Sequence, residues 1–265
     1  MIKHSTIFYH SAIKNLYPDA RNIRTPLVAG MTSPVFLADT NAETIVFKFN
    51  DCDMIQRNHT ISQILRIADV PAPYTQTHRY LDACFETYQY CPDRTVFEHI
   101  NANIVPSKLF HIFSSAMRVQ YQMTKIDVSG LNLGTKKYFS DVLLSNLRNK
   151  LCTTKILPYW LFVRTMSRGG PQYLIHNDLH SKNMLATADG DLSRIIDLDA
   201  VAVGNETFAT IMVLRHYPLA NADELMEYYE DISHHKLNRP AILAALNLIR
   251  TLRGPSALCH GYVRG

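Results

Sequence analysis

Apolar positions along this chain follow two different periods. In the first ninety residues they come in short β-branched or aromatic runs. Pro26 to Ala38 (PLVAGMTSPVFLA) holds two such runs around a Gly-Met-Thr-Ser-Pro turn. Thr44 to Phe49 (TIVFKF) and Ala83 to Tyr90 (ACFETYQY) read as strands. Between them, Met54, Ile55, Ile61, Ile64, Leu65 and Ala68 form a helical stripe that Pro71 and Pro73 end. After Pro92 the period lengthens. Leu109, Ile112, Phe113, Ala116, Met117, Gln120 and Met123 follow three-four spacing, so a long helix is predicted over 107–126, with Pro106 at its start. Further helices are predicted over 136–151 and 153–167. Gln172 to Ile175 reads as a strand. Asn183 to Ala186 and Ser193 to Ile196 read as a hairpin around Ala188-Asp189-Gly190-Asp191. The segment 206–253 reads as three helices, broken near Tyr217-Pro218 and Asn238-Arg239-Pro240. The pattern is α+β, strand-rich first and helical afterwards, with the change near residues 88–93.

Composition narrows the classes. The chain has 265 residues, of which 47% are hydrophobic and 19% charged, so it can bury a core without structural metal or disulfides. Disordered, collagen-like and low-complexity classes are excluded. The net charge of +4 is too mild and too dispersed for a nucleic-acid binder. Cysteines at 52, 84, 91, 152 and 259 are odd in number and include no C-x-x-C. Free thiols in a reducing cytoplasm are the simplest expectation. No run of 18 apolar residues predicts a membrane span, and the N-terminus lacks a signal-peptide pattern. Neither a nucleic-acid nor a membrane partner is expected.

Chemistry concentrates in Tyr173 to Ala200 (YLIHNDLHSKNMLATADGDLSRIIDLDA). Asp178 follows an apolar strand, Asn183 comes five residues later, and Asp197 fourteen residues after that. Moving a phosphoryl group from ATP to a hydroxyl needs a carboxylate for the hydroxyl and oxygen ligands for Mg²⁺. Asp178 suits the first task, and Asn183 and Asp197 the second. Any one of them alone also reads as ordinary turn chemistry. A metal pair from His176 and His180 is the competing reading, but the four-residue spacing straddles a loop instead of lying on one helix face.

These motifs resemble the aminoglycoside phosphotransferase and choline/ethanolamine kinase superfamily, whose catalytic loop runs H-[GN]-D-x-x-x-x-N and is followed by an I-D metal loop. Here the two read HNDLHSKN and IIDLD. Asn177 is similar to the choline/ethanolamine kinase branch. The resemblance implies a bilobal protein-kinase-like fold. Residues 1–91 would be a small antiparallel nucleotide-binding lobe with one helix, and 92–265 a larger, mainly helical catalytic and substrate-binding lobe. It implies Asp178 as base, Asn183 and Asp197 as Mg²⁺ ligands, and His176 packed beneath the loop. Leu27 to Ala38 resembles the family's phosphate-covering turn, which assigns Gly30, Thr32 and Ser33 to nucleotide. One of its two glycines is missing and Pro34 stands near the usual Asn. Lys48 resembles the strand lysine that meets the α- and β-phosphates, and Tyr88, Gln89 and Tyr90 the hinge beside adenine.

The family's helix carries a Glu for that lysine, but Met54 to Ile67 contains no acid. Asn58, His59, Gln56, Asp51 and Asp53 are the candidate substitutes. Asp93 or Thr95 is expected to cap the helix after the hinge. The family's later Asp is replaced here by the stretch containing Asn205, Glu206 and Thr207. For the acceptor, His180, Asp199, Glu227 and Tyr228 are the candidate contacts. The acidic run Asp223 to Asp231 suits a cationic substrate or a solvated helix face. Trp160, Tyr159, Tyr228 and Tyr229 suit an ammonium cage or the core. An aminoglycoside-like, choline/ethanolamine-like or sugar hydroxyl all fit. A nucleotide-binding pseudokinase and a Ser/Thr protein kinase are the alternatives. The second conflicts with Asp-Leu-Asp in place of Asp-Phe-Gly and with the missing A-P-E.

Overall fold

In the computed structural model, which describes residues 4–26, 33–129 and 171–253, each strand and helix is set by its local pattern. The chain forms two compact units. One holds the described residues up to Ile67 with Ala72–Pro92, and the other holds Ala68–Pro71 and the described residues from Asp93 onward.

The first unit is built on a five-stranded antiparallel sheet in the order β1-β2-β3-β5-β4. Its strands are β1 (Arg21–Arg24), β2 (Val35–Asp39), β3 (Thr44–Asn50), β4 (Gln76–Tyr80) and β5 (Ala83–Gln89). The three inner strands are those the apolar runs predict. The two edge strands, RNIR and QTHRY, are polar and largely exposed, which is how edges avoid pairing with other chains and why no hydrophobic signal marks them. Alternation then sorts the faces. Ile45, Phe47, Phe49 and Phe85 point to a core shared with Tyr9, Ala12 and Ile13 of helix α1 (Thr6–Leu16). Tyr9 and Phe49 rings lie 4.6 Å apart, and Phe49 and Phe85 rings 4.8 Å apart.

This helix is a second one beside the single helix expected, capped by Ser5, whose hydroxyl accepts from the Phe8 amide at 3.3 Å. Helix α2 (Cys52–Ile67) buries Ile55, Asn58, Ile61, Ser62 and Leu65 and serves the face on which Lys48 and Glu86 lie.

Free thiols are not what this face contains: Cys52 and Cys84 form a disulfide, with Cα atoms 5.0 Å apart. The strand register explains it. Asn50 lies opposite Cys84, so the first turn of α2 starts directly above β5. Cys91 is half-buried and takes no part in that bridge.

The second unit begins with β6 (Arg94–Thr95) and α3 (Val96–Asn101). Thr95, not Asp93, makes the cap: its hydroxyl accepts from the Glu98 amide at 3.2 Å, and Glu98 accepts the Thr95 amide at 2.7 Å. Helix α4 (Pro106–Thr124) buries the stripe read from the sequence, with Pro106 in its first turn. The hairpin β8 (Met184–Ala186) and β9 (Leu192–Ile195) turns at Gly190, whose φ of 96° no β-carbon tolerates easily. Strand β7 (Tyr173–His176) pairs antiparallel with β10 (Val201–Gly204). Helices α5 (Glu206–Leu214), α6 (Ala222–Ser233) and α7 (Arg239–Arg253) follow. The second break falls at His234, in the left-handed region at φ 58°, and Pro240 lies in the opening turn of α7 instead of ending a helix. The expected helices at 136–151 and 153–167 lie outside the described residues, as do Trp160 and Tyr159.

Candidate functional site

The loop 177–183 joins β7 to β8, and its backbone is fixed at many points. Leu179, His180 and Asn183 amides donate to His176, Asp178 and His180 carbonyls, and the Phe97 amide donates to Ser181. Beneath the loop sits His176, fully buried. Its Nδ1 accepts the Asp178 amide at 3.2 Å, so Nε2 carries the proton and donates to the Ile196 carbonyl at 3.0 Å. Burial pushes its pKa down, which keeps the ring neutral and this tautomer in place. Gln120 of α4 clamps the same residue from behind. Its amide nitrogen donates to the His176 carbonyl at 3.1 Å, and its oxygen accepts the His176 amide at 3.3 Å. Gln120 is the polar member of an apolar stripe, which was its signal in the sequence.

Asp178 presents a carboxylate with three donors around it. Arg215 Nη2 reaches Oδ1 at 2.8 Å, while His180 Nε2 and Asn183 Nδ2 each lie 3.4 Å from Oδ2. Burial alone would raise this carboxyl, but the His180 hydrogen bond and the Arg215 charge outweigh it and bring it to about 2. The Asp178 side chain is 39% exposed and Arg215 only 9%. The arginine follows α5, and sequence reasoning passed over it. His180 also stacks on His216, with ring centroids 5.1 Å apart, and His216 Nδ1 lies 2.6 Å from the Ser181 hydroxyl.

Asn183 donates its amide nitrogen to the Asp178 carbonyl at 2.9 Å, a contact that does not use its Oδ1. The Asn183 carbonyl accepts the Ile196 amide at 2.9 Å, so Asp197 follows at once beside it. Asp197 adopts the left-handed conformation, φ 65° and ψ 59°, a geometry that gathers at functional sites. An amide oxygen and a carboxylate are hard donors that suit Mg²⁺. Among the described residues no three His, Cys, Asp or Glu side chains cluster to hold a metal by themselves.

Asp199 sits half-buried in the 3-10 turn Leu198–Ala200 just after Asp197. Asn205, in the stretch that replaces the family's later Asp, is buried and caps α5 by accepting the Phe208 amide at 2.9 Å. Glu227 is exposed on α6. The Tyr228 hydroxyl accepts from Arg118 at 2.9 Å. Glu230 of the same acidic run is buried in a cluster with Lys236, Arg239 and the Leu237 amide. Tyr229 is buried and donates to Glu206 at 2.8 Å, so it belongs to the core and not to a cage.

In the first unit, Lys48 is buried on β3 and pairs in register with Glu86 of β5. Of its candidate partners, Asn58 is fully buried and donates to Glu86 Oε1 at 3.4 Å. His59 turns to Thr75 at 2.9 Å, and Gln56, Asp51 and Asp53 are exposed. Tyr88 and Gln89 continue the pairing with β3, and the Tyr90 amide donates to the Thr44 carbonyl at 3.0 Å. Ser33 is buried. Gly30 and Thr32 lie outside the described residues.

No family model matches the chain, and no curated protein matches it. Solved structures do. An aminoglycoside-3'-phosphotransferase of type VIII is similar with a TM-score of 0.67 at 10% identity, over 92% of this chain and 99% of that one. The GDP and kanamycin complex of APH(2")-IIIa gives 0.67 at 15% identity, over 92% and 88%. A thermostable mutant of the aminoglycoside phosphotransferase APH(4)-Ia, in ternary complex with ADP and hygromycin B, gives 0.64 at 13% identity, over 90% and 88%. The chain thus has the protein-kinase-like fold of the aminoglycoside phosphotransferases, as the resemblance implied. Among the described residues no helix is long and apolar enough to cross a membrane.

Proposed function

We propose that this protein transfers the γ-phosphoryl group of ATP to a hydroxyl of a small molecule, in a Mg²⁺-dependent reaction. The observation that carries the reading is the Asp178 carboxylate fixed beside Asn183 and the Asp197 turn. The similarity in fold to proteins solved with ADP and hygromycin B, or with GDP and kanamycin, supports a nucleotide and a small polyhydroxylated acceptor.

In this reading the first unit carries the nucleotide, with Lys48 on its phosphates and Tyr88 to Tyr90 beside the base. The second unit carries the chemistry. Asp178 accepts a hydrogen bond from the acceptor hydroxyl and aims its oxygen at the γ-phosphorus. The new O–P bond forms as the β–γ bridge bond breaks, ADP leaves, and the hydroxyl proton passes to Asp178. Asn183 Oδ1 and the Asp197 carboxylate would hold Mg²⁺, which would neutralise charge on the β- and γ-phosphates. His180, Asp199, Glu227 and Tyr228 are the proposed acceptor contacts.

The test is nucleotide consumption with a panel of aminoglycosides, choline, ethanolamine and sugars, using ATP and GTP in parallel. Asp178→Asn keeps the shape and its neighbours. It is expected to lower kcat about a hundredfold or more with an unchanged melting temperature. Normal turnover by that variant would sink the mechanism. Wild-type protein that binds Mg²⁺ and ATP but turns over with no acceptor would favour the pseudokinase.

A further inference from the structure

The first unit buries a cation and an anion on one face of its sheet. Lys48 is 6% exposed and Glu86 is 3% exposed. They stand directly opposite each other in the β3–β5 ladder, which puts their β-carbons about 5 Å apart on the same side. On the other flank Lys48 stands opposite Val35. Two opposite charges removed from water this far persist only when they meet. The third member is Asn58, the fully buried polar residue of α2, which donates to Glu86 Oε1 at 3.4 Å. A helix residue thus reaches a strand carboxylate that stands opposite the lysine in register.

We propose that Glu86 is the positioning residue for Lys48: it holds the ammonium where a nucleoside triphosphate meets it, and Asn58 holds Glu86. The proposal rests on the phosphotransfer reading above. It also accounts for a helix without acids, because the negative charge comes from the neighbouring strand. An ammonium without such a partner would swing on its four-carbon stem and meet phosphate less often. Glu86 touches no substrate itself. Its effect therefore falls on nucleotide affinity first.

The experiment compares wild type, Glu86→Gln and the exchanged pair Asn58→Glu/Glu86→Asn. Each is measured for its melting temperature, the Kd for Mg²⁺-ATP, and KM and kcat with the best acceptor of the panel. Glu86→Gln is expected to weaken ATP binding and raise its KM about 10- to 100-fold, the worth of one charged hydrogen bond. The acceptor KM is expected to stay within about twofold, since only the nucleotide interaction changes. The exchanged pair moves the carboxylate onto the helix residue that touches Glu86, and is expected to recover most of the ATP affinity. A folded Glu86→Gln with wild-type ATP affinity overturns the proposal. So does a folded exchanged pair that binds ATP no better than Glu86→Gln. Wild-type protein that neither binds nor consumes ATP is a different failure, because it removes the phosphotransfer reading itself.

Discussion

In the proposed reaction an Asp178 carboxylate held at about 2 is a weak base, and Arg215 is one reason for it. That is compatible with phosphoryl transfer, where the transition state is loose and the acceptor keeps its proton until late. Asp178 is then needed more for aim than for basicity. Arg215 supplies the aim by taking Oδ1 and fixing the carboxylate plane, which leaves Oδ2 to His180, Asn183 and the incoming hydroxyl. Arg215→Met keeps much of the buried stem and removes the charged contact. It is expected to lower kcat about 10- to 100-fold while the ATP KM moves far less. Steady-state kinetics beside a melting curve checks this, and an unchanged kcat in a folded variant would remove Arg215 from the site. That Asp178 and Asn183 share one loop, with Asp197 at the end of the hairpin that follows, was legible in the sequence from their spacing. Arg215 was not, since 37 residues separate it from Asp178 and an arginine after a helix usually faces water. Glu86 was hidden for a similar reason: register, not sequence proximity, brings it to Lys48.

Among the elements, α6 shows how an acidic run divides between solvent and structure. Asp223, Glu224, Glu227 and Asp231 are exposed, while Glu230 turns inward at the helix end. There it accepts from Lys236 at 2.8 Å, from Arg239 at 2.9 Å and from the Leu237 amide at 3.0 Å. It thereby ties α6 to the start of α7 across the break at His234. The Arg239 and Lys236 hydrogen bonds hold its carboxyl at about 2, against 4.5 for an ordinary glutamate. A carboxyl lowered in the fold stabilises fully above its unfolded pKa and loses that stabilisation as pH falls through the folded one. The cluster is therefore intact above about pH 4.5 and gone near pH 2. Glu230→Gln is expected to cost about 1–3 kcal/mol, a few degrees of melting temperature, at pH 7. The two proteins should converge as the pH is lowered to 2, and parallel melting curves across that range would show Glu230 to be irrelevant. The long stripe of α4, the hairpin and the inner strands were legible because burial imposes a period on them. Strands β1 and β4 were not, being polar edges. Helix α1 left a fainter trace: Ser5 as cap, then Tyr9, Ala12, Ile13 and Leu16 at three-four spacing, with Ile7 exposed among them.

For the molecule as a whole, cysteine number and spacing pointed to free thiols, whereas the fold joins two of them. Cys52 and Cys84 lie 32 residues apart, and the loop they close contains the rest of α2 and all of β4. Chain entropy values a crosslink over such a loop at about 3–4 kcal/mol, a large part of what a unit of this size has in total. The bridge also sits on the face of the sheet that carries Lys48 and Glu86. Cys84 and Glu86 are two residues apart on one strand, so their side chains point the same way. Cys52 opens the helix that carries Asn58. Opening the bridge should therefore loosen the Asn58–Glu86 contact as well as the unit. Alkylation followed by mass spectrometry is expected to find Cys52 and Cys84 protected until a reductant is added. The reductant, or the pair Cys52→Ala/Cys84→Ala, is expected to lower the melting temperature by several degrees and weaken ATP binding. Gln120→Leu, in the second unit, serves as the comparison: it should lower melting without that selective loss of ATP affinity, because it frees His176 beneath Asp178 and leaves Lys48 and Glu86 in register. If reduction leaves both melting and ATP affinity where they were, the bridge is neither a stabiliser nor a support for the lysine.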